Sequence, residues 1–138
     1  SQLALLLQGQ AIDRPLYDFP THMPKQKTCR MEPRPIILVD GILILQHTPL
    51  REQFDLSVFV ECAEQVRLER RAERDVKERG RTLDSVYRMF AEQVAPMHDK
   101  YVEPSKTHAN IVVNSQQSKE SLSSQFDAIA ESIKLLIQ

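Results

Sequence analysis

The residues best suited to chemistry in this sequence are the arginines between positions 67 and 81. Arg67, Arg71 and Arg74 recur at i, i+4 and i+7, so they share one face of a helix. A guanidinium group keeps its charge and can donate two parallel hydrogen bonds to a phosphate. A row of them suits phosphoryl transfer, which depends mainly on positioning and charge stabilisation.

The alternative is a solvated helix face, because Glu69, Glu73 and Asp75 are interleaved with the arginines and lie off their line. Arg79-Gly80-Arg81 favours the phosphate interpretation. A glycine between two arginines can act as a hinge with charge on both sides. We therefore predict an arginine lid over residues 63–82 that closes on an anion.

A second candidate is Asp40, which follows the apolar run Ile36-Ile37-Leu38-Val39. That run predicts a strand buried on both faces of a parallel sheet, and sites in such sheets form at the carboxyl ends of strands. Taken alone, Asp40 fits two roles. It can belong to a site at the edge of the sheet, or it can cap the following turn.

The elements that position these residues alternate between helix and strand. Prolines restrict residues 11–35 to short strands or loop. The other predicted elements are a helix over Ser1–Gln8 closed by Gly9, strands over Leu56–Glu61 and Asn110–Val113, a helix over Ala63–Glu78 stopping at Gly80, a helix capped by Thr82 that Pro96 kinks or ends, and a closing amphipathic helix over Ser121–Leu136. This order predicts an α/β fold with a mainly parallel sheet.

Composition excludes several classes of protein. The 138 residues, 41% of them hydrophobic, fit one domain over residues 1–138. Lys and Arg number 18 against 19 acids, so no basic field points to nucleic acid. Cys29 and Cys62 lie in no metal-ligand pattern, and the longest apolar run is too short for a bilayer. We expect a cytoplasmic protein with free thiols and no membrane contact.

Several motifs together resemble the uridine kinase family. Arg70 to Arg81 is similar to its RRxxRDxxxRGR segment, and Tyr17-Asp18-Phe19 with His22 resembles its YDFxxH stretch. The resemblance continues through the strand, acid and Gly-Ile-Leu of residues 36–45 and through the final strand near Val113. It covers the chain in order from about residue 11 to residue 113.

The resemblance implies a P-loop kinase fold with a parallel sheet and transfer of phosphate from ATP, or GTP, with Mg²⁺, to the 5′-hydroxyl of uridine or cytidine. It implies a homo-oligomer and a nucleoside-binding excursion over residues 11–35. In the resemblance, Tyr17 and His22 contact the base and Phe19 packs beside them. Arg71 and Arg81 bind the substrate, while Arg74 and Arg79 bind phosphate during transfer. Asp40 lies near the magnesium, at a position where the family usually has Glu. Without the family, a lone Tyr and His in a loop would more often be structural.

The sequence also departs from the family. It has glycine only at Gly9, Gly41 and Gly80, so it contains no phosphate-binding loop of the form GxxxxGK followed by Ser or Thr. In the family that loop and the catalytic aspartate precede the region matching Ala11, so we expect a fold incomplete at its N-terminus that turns over little by itself. Met89 stands where the family commonly has Gln facing the substrate. The alternative is that Met89 is core, at helical spacing with Val86 and Phe90.

Two alternatives stay open. One is a related kinase of another hydroxyl substrate, such as phosphoribulokinase or a pantothenate kinase, against which Tyr17 and His22 argue. The other is a catalytically silent nucleotide-binding or oligomerisation module. Binding measurements with uridine, cytidine and their triphosphates separate this module from an enzyme.

Overall fold

The computed structural model describes residues 1–18 and 23–137 and divides into two compact units, Ser1–Val39 and Asp40–Gln138. The first unit carries the predicted nucleoside-binding segment. The second carries the arginine segment. Each unit has its own strands and its own buried side chains.

The first unit consists of a short helix and an antiparallel hairpin. Its elements are α1 (Gln2–Leu7), β1 (Ile12–Asp18) and β2 (Met23–Met31). The hairpin pairs Ile12 with Met31, and its register shifts between Pro15 and Tyr17. Proline cannot donate to a strand ladder, which accounts for an irregularity at this point. The short strands predicted for residues 11–35 and the helix predicted before Gly9 are thus confirmed.

The second unit is built on two parallel strands, β3 (Val58–Glu61) and β4 (Ile111–Asn114). Phe59 and Val113 are buried on them. Asn110 Oδ1 accepts hydrogen bonds from the backbone N–H and the hydroxyl of Ser57, both at 2.8 Å, just before the strands pair. Parallel strands joined through helices confirm the α/β class that the sequence predicts.

Helices connect and follow these strands. In chain order they are α2 (Thr48–Arg51), α3 (Glu64–Arg79), α4 (Leu83–Met89), a π-helical turn (Phe90–Val94), α5 (Ala95–Met97), a second π-helical turn (His98–Val102), a 3₁₀ helix (Glu103–His108) and α6 (Lys119–Leu136). Pro96 does not end the helix, because it lies in the first turn of α5 between the two wider π turns. Such turns accommodate the missing N–H of proline.

The closing helix α6 packs on β4 less deeply than predicted. Leu122, Ile129 and Ile133 are half-buried, whereas Phe126 and Leu136 are exposed. Within the described residues, none of the helices combines the length and the apolar character needed to span a membrane.

The buried strand predicted over residues 36–39 is wrong. This segment has no regular structure, and the side chain of Leu38 is 92% exposed. An extended apolar segment becomes a strand only when a neighbour accepts and donates its backbone hydrogen bonds, and no described strand pairs with this one. Asp40 therefore does not follow a described strand.

Candidate functional site

The hinge of the predicted lid begins where α3 ends. Gly80 adopts φ 63°, a left-handed conformation that favours glycine, and the backbone N–H groups of Gly80 and Arg81 both bond to the carbonyl oxygen of Asp75. Thr82 then caps α4, its hydroxyl accepting from the Ser85 N–H at 3.3 Å. The predicted helix end and the predicted cap are both confirmed. This geometry reverses the chain so that arginines on both sides of the hinge can converge.

They converge on the carboxylate of Asp75, which has 0% solvent exposure. Arg74 Nη2 lies 2.8 Å from Oδ1 and donates to it together with Nε at 3.0 Å. Arg79 Nη1 lies 3.1 Å from the same oxygen. Arg71 Nε and Arg81 Nη1 approach Oδ2 at 3.5 and 4.0 Å. Arg71, Arg74, Arg79 and Arg81 are called the arginine cluster below.

The electrostatics of the cluster leave an excess of positive charge around one buried acid. Burial acts to raise the pKa of Asp75, but the hydrogen bond from Arg74 and the charges of Arg74, Arg71 and Arg79 outweigh it, so this pKa is lowered. The pKa of Arg71 is lowered too, by burial first and then by the neighbouring arginines, although Asp75 opposes this. The cluster can therefore take further negative charge.

Two buried polar atoms, one on Asp75 and one on the arginine cluster, are not hydrogen-bonded. Among the described residues, Asp75 Oδ2 and Arg71 Nε have no hydrogen-bond partner, although their charges attract at 3.5 Å. An unpaired buried polar atom is costly in a native fold. Hydrogen bonding is thus less complete around Asp75 Oδ2 than around Oδ1.

Met89 on α4 completes the cluster. Its sulfur accepts from Arg81 Nη1 at 3.1 Å and from Arg71 Nη2 at 3.6 Å. A thioether is a weak acceptor, so it leaves most of the hydrogen-bonding capacity of these donors unused. Val86 on α4 and Phe90 in the π-helical turn that follows are buried core residues, while Met89 between them is only half-buried. Met89 is therefore part of the site as well as of the packing.

The role of Asp75 escaped the sequence analysis, which set this residue aside as lying off the cationic face. The signal was in the spacing, since Asp75 stands four residues after Arg71 and four before Arg79. Arg67, which the helical spacing grouped with the cluster, instead lies 3.9 Å from Glu64 at the start of α3. Long arginine side chains can reach round a helix, so a projection of Cα positions alone misassigned both residues.

The residues predicted to bind the nucleoside belong to the first unit. Tyr17 lies in β1 and is exposed. Phe19 and His22 lie outside the described residues. The predicted base contacts of these three residues stay predictions.

Asp40 belongs to the second unit and is exposed. Among the described residues, no group of three or more His, Cys, Asp and Glu side chains comes together as a metal cage. Mg²⁺ commonly keeps several waters and takes one or two carboxylates together with substrate phosphates. A single accessible carboxylate fits that kind of site, so the magnesium role of Asp40 stays a prediction.

Known proteins resemble this chain over most of its length. The chain is 42% identical over 113 residues to the uridine kinase of Lactococcus lactis subsp. cremoris strain MG1363, a match that covers 82% of this chain and 55% of that protein. It is 43% identical over 113 residues to the uridine kinase of Clostridium botulinum strain Okra, with the same coverage. It is 44% identical over 112 residues to that of Lactiplantibacillus plantarum, which covers 81% of this chain and 54% of the relative.

The chain thus spans about half the length of the curated relatives it matches. A family model, that of the Phosphoribulokinase / Uridine kinase family, matches residues 1–121. This matched region includes both the hairpin and the whole arginine cluster. The chain belongs to the Phosphoribulokinase / Uridine kinase family.

Proposed function

We propose that this chain forms the nucleoside pocket and the phosphate-binding lid of a kinase that transfers the γ-phosphoryl group of ATP to the 5′-hydroxyl of uridine or cytidine. The observation that carries the proposal is the arginine cluster, in which several guanidinium groups share one buried carboxylate. Uridine kinases are the relatives it resembles. Pyrimidine salvage in the cytoplasm would be the setting of this reaction.

Within the lid, exposure suggests a division of labour. Arg74 and Arg79 are the more exposed members, with 44% and 33% of their side chains accessible, so they can reach an incoming phosphate. We assign to them the neutralisation of charge during transfer. Arg71 and Arg81 are less exposed and also contact Met89, so we assign to them the holding of the substrate.

On the nucleoside side, Tyr17 and His22 would contact the base and Phe19 would pack beside them. Tyr and His each offer a flat apolar body with a polar edge, which suits a pyrimidine ring. Asp40 would help to hold a magnesium ion, which when bound offsets phosphate charge. The donor is ATP or GTP, and the cluster fits the phosphates that both nucleotides share.

The test compares the chain alone with the chain fused to the part of the Lactococcus lactis uridine kinase that the match does not cover. A coupled assay with uridine and ATP measures phosphoryl transfer. We expect little turnover from the chain alone and clear turnover from the fusion, because this sequence contains no GxxxxGK loop to hold the β and γ phosphates. Equal activity of the two would refute the proposed division between the parts.

Variants of the fusion test the lid. Arg74→Ala should lower kcat by about a hundredfold or more, as the loss of an arginine that stabilises a transferring phosphoryl group does in related chemistry. Lys77→Ala is the matched control, since it removes an exposed cation from the same helix outside the cluster. Equal losses in the two variants would assign the effect to general charge instead of the lid.

A further inference from the structure

The carboxylate of Asp75 is a charged group that the proposed phosphoryl transfer does not use. It has no solvent exposure, so it cannot serve as a surface acid or as an open metal ligand. Its side chain and its backbone carbonyl both face the lid hinge. The carbonyl oxygen accepts from Arg81 at 3.1 Å, while the side chain contacts the arginine cluster.

Without a negatively charged partner, the guanidinium groups of the arginine cluster would not stay close to one another. Like charges repel, and a half-buried guanidinium with no acceptor loses its hydration without compensation. Asp75 supplies both charge and acceptors. Its Oδ1 takes hydrogen bonds from Arg74 and lies 3.1 Å from Arg79, and its Oδ2 faces Arg71 and Arg81.

We infer that Asp75 is the positioning residue of the lid: its carboxylate assembles the arginine cluster before phosphate arrives, so that the guanidinium groups bind without first being ordered. Preassembly of this kind favours binding because the ordering cost is already met in the free protein. The inference rests on the proposed function, since it gives the cluster a phosphate to bind. Asp75 acts through the arginines and does not itself touch the phosphate.

Whether the affinity for an anion rises or falls distinguishes a positioning role of Asp75 from a simple effect of its charge. Replacing Asp75 by Asn removes one negative charge, so electrostatics alone predicts tighter binding of an anion. Loss of preassembly predicts weaker binding. The control Glu78→Gln removes the same charge from an exposed acid on the same helix, outside the contacts of the cluster.

The experiment measures binding of inorganic tripolyphosphate to the 138-residue chain by titration calorimetry. We expect Asp75→Asn to bind about tenfold more weakly than the wild type, which corresponds to the loss of one charge-assisted hydrogen bond. We expect Glu78→Gln to bind as tightly as the wild type or slightly more tightly. Binding by Asp75→Asn that equals or exceeds that of Glu78→Gln would overturn the inference.

A spectroscopic readout tests the inference without any ligand. The Nε–H of Arg74 donates to Asp75 at 3.0 Å, so it should give a distinct signal in a proton–nitrogen correlation spectrum of the arginine side chains. In Asp75→Asn this signal should move toward those of exposed arginines, and in Glu78→Gln it should not. A wild type that shows the signal but binds no tripolyphosphate would contradict the proposed function and leave the positioning role intact. An unchanged signal in Asp75→Asn would contradict the positioning role itself.

If Asp75→Asn fails to fold, tripolyphosphate binding by Asp75→Glu tests the same inference. It keeps the charge but displaces the carboxylate by one methylene, so a positioning role predicts binding about threefold weaker than that of the wild type. Affinity equal to that of the wild type would overturn the inference.

Discussion

Asp75 and its arginines behave differently from an ordinary surface ion pair. An exposed pair contributes little to stability because water screens it. Here the acid is fully buried while its partners reach solvent to different degrees. The contact with Asp75 therefore orders the end of α3 and still leaves an excess of positive charge around it.

Acid should weaken this contact. The pKa of Asp75 is lowered in the folded state, so its stabilisation is present above its unfolded pKa of about 4 and is lost as the pH falls through the folded value. Asp75→Asn should lower the free energy of unfolding at pH 7 by about 2 kcal/mol, less than for a fully buried pair because the arginines reach solvent. Urea denaturation of wild type and variant at pH 7 and at pH 3 measures this.

The difference between the two proteins should shrink at pH 3, which lies below the unfolded pKa, because the stabilisation from the lowered pKa of Asp75 is lost as the pH falls toward the folded value. Glu78→Gln serves as the control, since its acid is exposed and its stability should follow that of the wild type at both pH values. A gap between Asp75→Asn and wild type that stays constant with pH would show that the contact does not depend on charge.

Met89 should set how sharply the site selects its substrate. Its sulfur faces Arg71 and Arg81 but offers no donor and only a weak acceptor. Met89→Gln would supply an amide that can pair with a hydroxyl of the nucleoside, and sites that pair a substrate hydroxyl discriminate strongly. We expect this variant to prefer uridine over 2′-deoxyuridine, which lacks one such hydroxyl, about tenfold more than the wild type does, measured by titration calorimetry.

Met89→Leu is the matched control, because it keeps the apolar volume and removes the sulfur. Its preference among nucleosides should equal that of the wild type. If Met89→Gln also leaves the preference unchanged, Met89 is packing and does not face the substrate.

At the scale of elements, local signals predicted most helix and turn positions. Gly80 ends α3 and Thr82 caps α4 because these positions require particular backbone conformations that those residue types satisfy. Leu38 shows the opposite case. Its apolar run predicts burial, yet whether a run is buried depends on a partner elsewhere in the protein, and none of the described strands pairs with it.

The candidate site, like the fold, could be predicted only in part from the sequence. The arginines stand out by type and spacing, and the family resemblance gives them a role. The spacing within α3 allows Asp75 to meet Arg71 and Arg79. The contacts that Arg81 makes with Asp75 and Met89 could not be predicted, because they depend on how the chain turns across the hinge between α3 and α4. Spacing constrains which residues can meet, whereas packing determines which of them do.

The hinge between α3 and α4 should require glycine for conformation alone. A Cβ at Gly80 would meet no atom within 4 Å, so Gly80→Ala suffers only the cost of a left-handed backbone, about 1 kcal/mol of unfolding free energy. The variant should also bind tripolyphosphate more weakly, because a shifted hinge moves Arg81 relative to Asp75. Thermal denaturation and calorimetry measure the two effects.

Gly9→Ala is a close control for that variant. Gly9 has φ 78° and open space as well, but it lies in the first unit, outside the lid. It should show a similar conformational cost with unchanged tripolyphosphate affinity. Equal losses of affinity in the two variants would show that the hinge has no special part in binding.

At the scale of the whole molecule, positive charge is concentrated at one place although the protein carries almost no net charge. The formal net charge is −1, and yet the arginine cluster places four cations around one acid. Nucleic acid binding depends on many phosphate contacts spread along a basic surface. A local cluster on a neutral protein should instead select a compact polyphosphate.

The chain should therefore bind tripolyphosphate but not single-stranded DNA at about 150 mM salt, a concentration at which weak phosphate contacts are largely screened. Fluorescence anisotropy with a labelled oligonucleotide and calorimetry with tripolyphosphate measure the two affinities. Removing two cluster arginines, as in the double variant Arg74→Ala/Arg79→Ala, should abolish tripolyphosphate binding. Removing two exposed cations outside the cluster, as in Lys77→Ala/Arg88→Ala, should leave it unchanged although the change in net charge is the same. Equal losses in the two double variants would mean that overall charge, and not the geometry around Asp75, attracts the anion.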